Sequence, residues 1–119
     1  MSTLRSTDCE EFINDIDGGA FAKQLGYAVS KVASAAVDTQ KVGEITIKLK
    51  FSKGVGHNNV TVEHKLISNA PLPKGKSVEE HGDKTPMYVN TRGDVSLFAK
   101  HTDQLFEEKS LIFKIFLLN

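Results

Sequence analysis

The fold is decided by residues 42–51, VGEITIKLKF, and residues 59–67, NVTVEHKLI, which are joined by a glycine-containing loop. In each arm, apolar and polar residues take alternate positions. The apolar set is Ile45, Ile47, Leu49, Phe51, Val60, Val62 and Leu66. Because successive side chains of a strand point to opposite faces, this alternation predicts a β-hairpin with one buried face and one solvent face.

The residues before this hairpin predict helices over residues 8–37. A short helix over residues 8–16 is followed by Asp17-Gly18-Gly19, and paired glycines favour a bend. A longer helix follows, with apolar residues at helical spacing: Phe21, Leu25, Ala28, Val29, Val32 and Ala36. Such spacing places these residues on one face, and the alanines make that face slim enough to approach a sheet or a second helix.

The residues after the hairpin predict a second, shorter one. Residues 87–89 and 95–98 are the arms, and residues 90–93 contain the glycine that suits the turn. Two prolines and a glycine predict irregular structure over residues 68–77. Residues 77–84 are polar, which is compatible with one helical turn or with disorder.

These elements predict one α+β domain over residues 1–119. Residues 1–7 are loose, and residues 42–98 form an antiparallel sheet of about four strands. The helices pack on the apolar face of the sheet. Residues 102–119 are an apolar tail that the pattern assigns to neither helix nor strand. The tail predicts an interface through Leu111, Phe113, Ile115 and Phe116, since an exposed apolar run must be buried in the core, by a second copy or by a partner. A homodimer would cover both the tail and a sheet edge.

Composition narrows the class of protein. The formal net charge is zero, although residues 1–40 carry three basic and six acidic residues and residues 41–101 carry ten basic and six acidic ones. The chain has a single cysteine, Cys9, which cannot form an internal disulfide and favours a reducing compartment. The N-terminus does not read as a signal peptide, and no apolar run is long enough to span a bilayer. We therefore expect a cytoplasmic protein that does not enter membranes.

Catalytic and metal sites are not indicated by the residue spacing. The histidines are too far from one another and from Cys9 to form the close ligand pairs of zinc sites, and His64 falls on the apolar side of its strand. The group Glu79, Glu80, His81 and Asp83 could be an acid–base cluster, but a solvated polar loop is the simpler interpretation. We expect no enzyme activity, no cofactor and no metal.

The basic residues suggest one alternative. A single-stranded nucleic acid could be bound by Lys53, Lys74, Lys76, Lys84 and Arg92, with Tyr88 as a stacking surface. Against this, Glu44 and Glu63 share the solvent face of the hairpin, where Lys–Glu pairs across strands explain the charges without a ligand.

Four segments carry a resemblance to a known group of proteins: residues 60–66, 73–76, 85–89 and 93–98. Together they resemble small proteins encoded in early regions of tailed bacteriophages and prophages, over roughly residues 10–100. The resemblance does not extend to the tail from His101 onward. It implies a phage-encoded, non-enzymatic protein in the host cytoplasm that binds another protein and inhibits a host nuclease or defence system. The alternative is a nucleic-acid-binding protein of phage recombination or replication.

Overall fold

The computed structural model describes residues 3–99. Two α-helices, α1 (Cys9–Asp15) and α2 (Ala20–Thr39), are joined by a 3₁₀ turn over Ile16–Gly19. Four strands follow: β1 (Glu44–Lys53), β2 (Asn59–Pro71), β3 (Lys76–Val89) and β4 (Val95–Ser96). The predicted α+β fold is confirmed. The apolar tail and its four predicted interface residues lie outside the described residues.

The predicted bend between the helices is present and has a defined geometry. Asp8 caps α1 by accepting a hydrogen bond from the Glu11 amide at 3.2 Å. Asp17, Gly18 and Gly19 then adopt positive φ angles of 55°, 62° and 93°, a region that glycine enters at little cost. The Asp17 amide donates to the Thr85 hydroxyl at 2.9 Å. This bond joins the corner to β3 and fixes where α2 begins.

The strands form one antiparallel sheet in the order β1-β2-β3-β4. Ile47 lies opposite Leu66, and Leu66 in turn lies opposite His81. The helices cover one face, here called the helix side, and the other face is called the open face. The buried residues of β2 are alternate ones that point to the helix side: Val60, Val62, His64, Leu66, Ser68 and Ala70. Strand β2 is therefore the centre of the core.

The helices supply the other half of the core. Phe12, Ile16, Phe21 and Ala28 pack with the buried residues of β2 and with Met87 of β3. Phe21 and Ile16 are fully buried, as expected for the large apolar residues at helical spacing. Val29, which the same spacing placed on the core face, is 50% exposed. The helix therefore buries a narrower stripe than its sequence predicts.

The polar region after β2 is regular, in contrast to the prediction. Strand β2 continues to Pro71, and β3 begins at Lys76, so only residues 72–75 form the turn. Residues 77–84, predicted as a helical turn or disorder, pair with β2 throughout. The sequence pattern fails here because most of these β3 side chains are polar on both faces, so no apolar alternation marks the strand.

The prolines fit this sheet because of the direction in which their nitrogens point. Leu72 donates to the Gly75 carbonyl at 3.0 Å, and hydrogen-bonded pairs alternate along an antiparallel ladder. The odd-numbered residues of β3 therefore point their amides to β2, whereas Pro86 points its nitrogen to the outer side. Pro71 lies beyond the end of β1 in the register. Neither proline removes a ladder hydrogen bond.

Residues 3–7 are attached to the turn between β3 and β4, so the prediction that they are loose is wrong for the described part. The Arg5 amide donates to the Arg92 carbonyl at 2.8 Å, and the Val95 amide donates to the Thr7 hydroxyl at 3.0 Å. The turn itself is closed by the Asn90 amide, which donates to the Asp94 carbonyl at 2.8 Å. The predicted second hairpin is confirmed, with a β4 of two residues.

Candidate functional site

Strand β1 is an edge of the sheet, and nothing in residues 3–99 pairs with its outer side. The Gly54 amide donates to the Asn59 carbonyl at 2.9 Å, which sets the alternation of the ladder. Even-numbered residues of β1 therefore bond to β2, and odd-numbered residues point their N–H and C=O groups outward. A ten-residue edge with free donors and acceptors is a template for another strand.

The residues with outward backbone groups also carry the apolar side chains of β1. They are Ile45, Ile47, Leu49 and Phe51, and all point to the helix side. Ile47 is 43% exposed and Phe51 is 54% exposed. The prediction that this side of the hairpin is buried holds for Val62 on β2 but only partly for β1.

Helix α2 lies over β2 and turns one flank toward β1. Lys31 on α2 forms an ion pair with Glu79 on β3 at 3.2 Å, and Ala28 and Val32 are buried over the sheet. On a helix with 3.6 residues per turn, Val29 then lies on the flank turned toward β1. Although α2 approaches the start of β1, where a Cβ on Gly43 would lie 2.5 Å from Cγ1 of Val32, the side chains of Val29, Ile47 and Phe51 remain exposed. The term β1 edge surface denotes these three side chains and the outward backbone of Ile45–Phe51.

An apolar groove continues this surface at the end of β1. The Phe51 ring stacks on the Phe12 ring with centroids 6.4 Å apart and planes 19° apart. With Thr7, Cys9 and Val95, the two rings line a groove of about 210 Å³. Cys9 is exposed and unpaired. A groove of this lining can accept one apolar side chain from a bound segment.

The outer edge of β3 has a different character. Among the described residues, β4 pairs only with Tyr88 and Val89 of β3. The remaining outward backbone groups belong to even-numbered residues, which are Lys76, Val78, Glu80, Gly82, Lys84 and Pro86. Charged side chains, glycine and proline on an edge discourage strand pairing. The two edges are therefore unequal, and β1 is the one suited to association.

The six residues predicted to bind nucleic acid do not form one cluster. Lys76, Lys84 and Tyr88 lie on β3 with their side chains on the open face. The residues Lys76 and Tyr88 are twelve positions apart, which corresponds to about 40 Å along a strand. Lys74 lies in the turn before β3.

The two remaining predicted residues lie at the far end of the sheet and are engaged locally. Lys53 donates to the Gly56 carbonyl at 2.8 Å. The Arg92 guanidinium donates through Nε to the Thr3 carbonyl at 3.3 Å. Both side chains therefore have a structural partner.

A tighter group of lysines lies at the centre of the open face. Lys48, Lys50 and Lys65 surround Glu63, and Lys48 is directly opposite Lys65. Lys65 reaches Glu80 at 3.3 Å. Glu63 lies between Lys50 on one side and Lys84 on the other. The expected mixture of charges across strands is present on this face.

A second groove separates α2 from β3. It has a volume of about 360 Å³ and is lined by Lys23, Gln24, Tyr27, Ala28, Ser68, Glu79 and His81. His64 lies in the core nearby, 1% exposed, with its ring edge against Phe21 at 5.0 Å between centroids. The expected place of His64 on the apolar side of its strand is confirmed. Its Nδ1 and the Oε1 of Gln24 have no hydrogen-bond partner.

The residues considered as an acid–base cluster do not lie on one face of the sheet. Glu79, His81 and Asp83 lie on the helix side of β3, whereas Glu80 lies on the open face. In residues 3–99, no group of three or more histidine, cysteine or acidic side chains could hold a metal ion. Within the same residues, no helix has the length and apolar character needed to cross a membrane.

The β1 edge surface was not predicted as a site. The sequence contains a signal for it, because the first strand of a chain of consecutive hairpins lies at a sheet edge. The exposure of Ile47 and Phe51 could not be read from the sequence, since it depends on how much of the sheet the two helices cover. Likewise, the sequence pattern does not distinguish Val29 from the core residues of α2.

Comparison with known proteins gives a family but no activity. A family model described as the YfdP family matches residues 8–95. A protein of Escherichia coli (strain K12), described as uncharacterized protein YfdP, is 35% identical over 105 residues, which cover 88% of this chain and 87% of that protein. No solved structure matches the chain. The matched residues span both helices and the strands up to the start of β4, and the chain belongs to the YfdP family.

Proposed function

We propose that this chain is a non-enzymatic protein-binding module that recognises an extended segment by adding it as a strand beside β1. The observation that carries the proposal is the coincidence of outward backbone groups with exposed apolar side chains along Ile45–Phe51. Main-chain hydrogen bonds supply affinity in strand addition, and pockets for alternate side chains supply specificity. The groove beside Phe51 is such a pocket.

The chemistry of β1 defines the segment that it fits. On the helix side, Ile47 and Phe51 favour apolar residues at alternate positions of the added strand. On the open face, Lys48 and Lys50 favour Asp or Glu at the positions of the added strand that alternate with its apolar residues, because opposite charges across strands stabilise pairing. The expected ligand is therefore an extended peptide in which apolar and acidic residues alternate.

The resemblance to early-region phage proteins supports a role for this binding. An inhibitor of a host nuclease or defence system can act by occupying an exposed segment of its target without performing chemistry. We expect the encounter in the cytoplasm of the host cell. The edge geometry supports the strand addition. The phage origin and the kind of target are proposed from the resemblance.

Selection from a random displayed peptide library tests the proposed mode of binding. We expect enrichment of peptides with alternating apolar and acidic residues, and loss of binding to the Ile47→Pro variant. Proline at this position removes an outward donor without removing a bond to β2. The matched control is Lys84→Pro, which makes the same change on the outer edge of β3 and should leave binding intact. Selected peptides that bind both variants equally would refute strand addition at β1.

A second candidate function is single-stranded nucleic-acid binding on the open face. It is favoured by the central group of Lys48, Lys50 and Lys65, which is closer together than the six residues predicted from the sequence. Retention of labelled single-stranded DNA should then fall with salt, and the double variant Lys48→Ala, Lys50→Ala should abolish it. Absence of binding at low salt would eliminate this function.

A further inference from the structure

We infer that a second copy of this chain is the strand that pairs with the β1 edge surface, giving a two-fold symmetric dimer with one continuous eight-stranded sheet. The inference rests on the proposed function, since it names the partner of the same edge. In the preferred register, Ile47 lies opposite Ile47 of the second copy. Both residues have outward backbone groups, so they form a hydrogen-bonded antiparallel pair.

This register is favoured by charge. It places Glu44 opposite Lys50 of the second copy, and the symmetry repeats the pair, so the edge is complementary to itself. A shift that puts Lys48 opposite Lys48, or one that puts Lys48 opposite Lys50, brings like charges together instead. Opposite-charge pairs across strands are favourable and like-charge pairs are unfavourable. The other two-fold alignment that pairs opposite charges sets Glu44 opposite Lys48 and joins only residues 44–48, whereas the preferred alignment joins residues 44–50. Charge and length of pairing together therefore favour the register with Ile47 opposite Ile47.

The apolar side chains agree with the same alignment. Ile45 lies opposite Leu49 of the second copy, again twice, and Ile47 meets its own symmetry mate. All of them point to the helix side, where Ile47 is 43% exposed in one copy. Pairing would bury these side chains and satisfy the outward backbone groups at the same time.

The helices fit beside each other in this arrangement. The two-fold axis is perpendicular to the sheet, so both copies of α2 lie on the same face. Phe21 packs against His64, which is opposite Leu49, and a Cβ on Gly43 would be 2.5 Å from Cγ1 of Val32. Because Val29 precedes Val32 by three residues, about 4.5 Å of helix, these contacts place Val29 at about the level of Ile45.

The spacing leaves room for both helices. The two β2 strands would be three strand spacings apart, about 14 Å, whereas packed helix axes are about 8–10 Å apart. Helices lying over the two β2 strands therefore do not clash. The Val29 side chain of each copy then lies at the level of the pair that Ile45 forms with Leu49 of the second copy.

Sedimentation equilibrium of the full chain and of charge variants tests the dimer. We expect a dimer for the natural chain, and a dissociation constant about tenfold or more weaker for Glu44→Lys and for Lys50→Glu, because each change turns two favourable pairs into repulsive ones. The double variant should recover dimerisation. The matched control is Lys84→Glu, since Lys50 and Lys84 both lie opposite Glu63 in the monomer and only Lys50 lies at the proposed interface.

Cross-linking tests the register independently of the charges. In a Cys9→Ser background, Ile47→Cys should give a disulfide-linked dimer, because a hydrogen-bonded pair has Cα atoms about 5.5 Å apart, within the range for a disulfide. Ile45→Cys should not, since the two copies of this residue are offset by four positions. Equal cross-linking of both variants would refute the register.

The outcomes separate the dimer from the proposed function. A full chain that stays monomeric at millimolar concentration, yet binds selected peptides at β1, would overturn the dimer and leave strand addition standing. If neither self-association nor peptide binding responds to changes in β1, both proposals fail. A chain cut after Lys100 must also dimerise; loss of the dimer on this cut alone would assign the contact to the tail.

Discussion

Replacement of Phe21 by alanine is expected to lower the free energy of unfolding by about 3–5 kcal/mol. Phe21 is fully buried, and its ring meets the edge of the His64 ring. It is the residue that attaches the start of α2 to the central strand. No rearrangement of an exposed side chain can fill the space that the ring occupies.

The magnitude follows from the burial. A phenylalanine side chain buries about 150–250 Å², which at about 25 cal/mol per Å² corresponds to about 4–6 kcal/mol. Alanine retains the Cβ contribution of about 1 kcal/mol, and a cavity remains below α2. The lost contact with His64 contributes about 0.5–1.5 kcal/mol of the total.

Urea unfolding followed by far-ultraviolet circular dichroism measures this change by linear extrapolation. All variants are compared at one protein concentration, since any self-association adds to apparent stability. The control is Tyr27→Ala on the same helix, where the ring is 66% exposed and the change should stay within about 0.5 kcal/mol. If Phe21→Ala fails to fold, Phe21→Leu should still fold with a loss of about 1–2 kcal/mol. A loss below about 1 kcal/mol for Phe21→Ala would refute the assignment of Phe21 to the core.

Substitutions at three further positions test the packing of α2 and the corner before it. Gly26→Ala should stabilise the chain by up to about 1 kcal/mol because a Cβ there meets nothing within 4 Å. Gly43→Ala should destabilise it by about 1–3 kcal/mol because the Cβ meets Val32. Thermal unfolding of both variants checks that the two changes in stability have opposite signs. Thr85→Val should cost about 1–3 kcal/mol because the buried hydroxyl accepts from the Asp17 amide, whereas Thr85→Ser keeps the hydroxyl and should cost less. A larger loss for Thr85→Ser than for Thr85→Val would show that the methyl group, and not the hydrogen bond, is what matters.

The sequence predicts the elements whose own residues carry a period. Strands β1 and β2 follow from alternation, the helices from spacing, and the bend from Gly18 and Gly19. Residues 76–86 of β3 are missed because their pairing is dictated by β2 and not by an apolar pattern of their own. The prolines wrongly predict irregular structure for a related reason. Whether a proline disrupts a strand depends on whether its nitrogen points toward a neighbouring strand, and the sequence alone does not show that direction.

The candidate site is less predictable than the fold because it consists of apolar residues that the helices cover incompletely. The apolar face of β1 reads as core in the sequence, yet the two helices leave Ile47 43% and Phe51 54% exposed. The lysines of the open face are visible in the sequence, but their grouping depends on the register. The register places Lys48 and Lys50 beside Lys65 and separates them from Lys74 and Arg92.

Pro86 and the charged outer edge of β3 have a consequence for how many molecules can join. A subunit with only one edge able to recruit a neighbour has a valency of one, so growth stops after a single addition. An open chain of subunits, as in a filament, needs two such edges. Within residues 3–99, the same inequality that directs association to β1 would thus limit growth of the sheet to a closed pair of subunits.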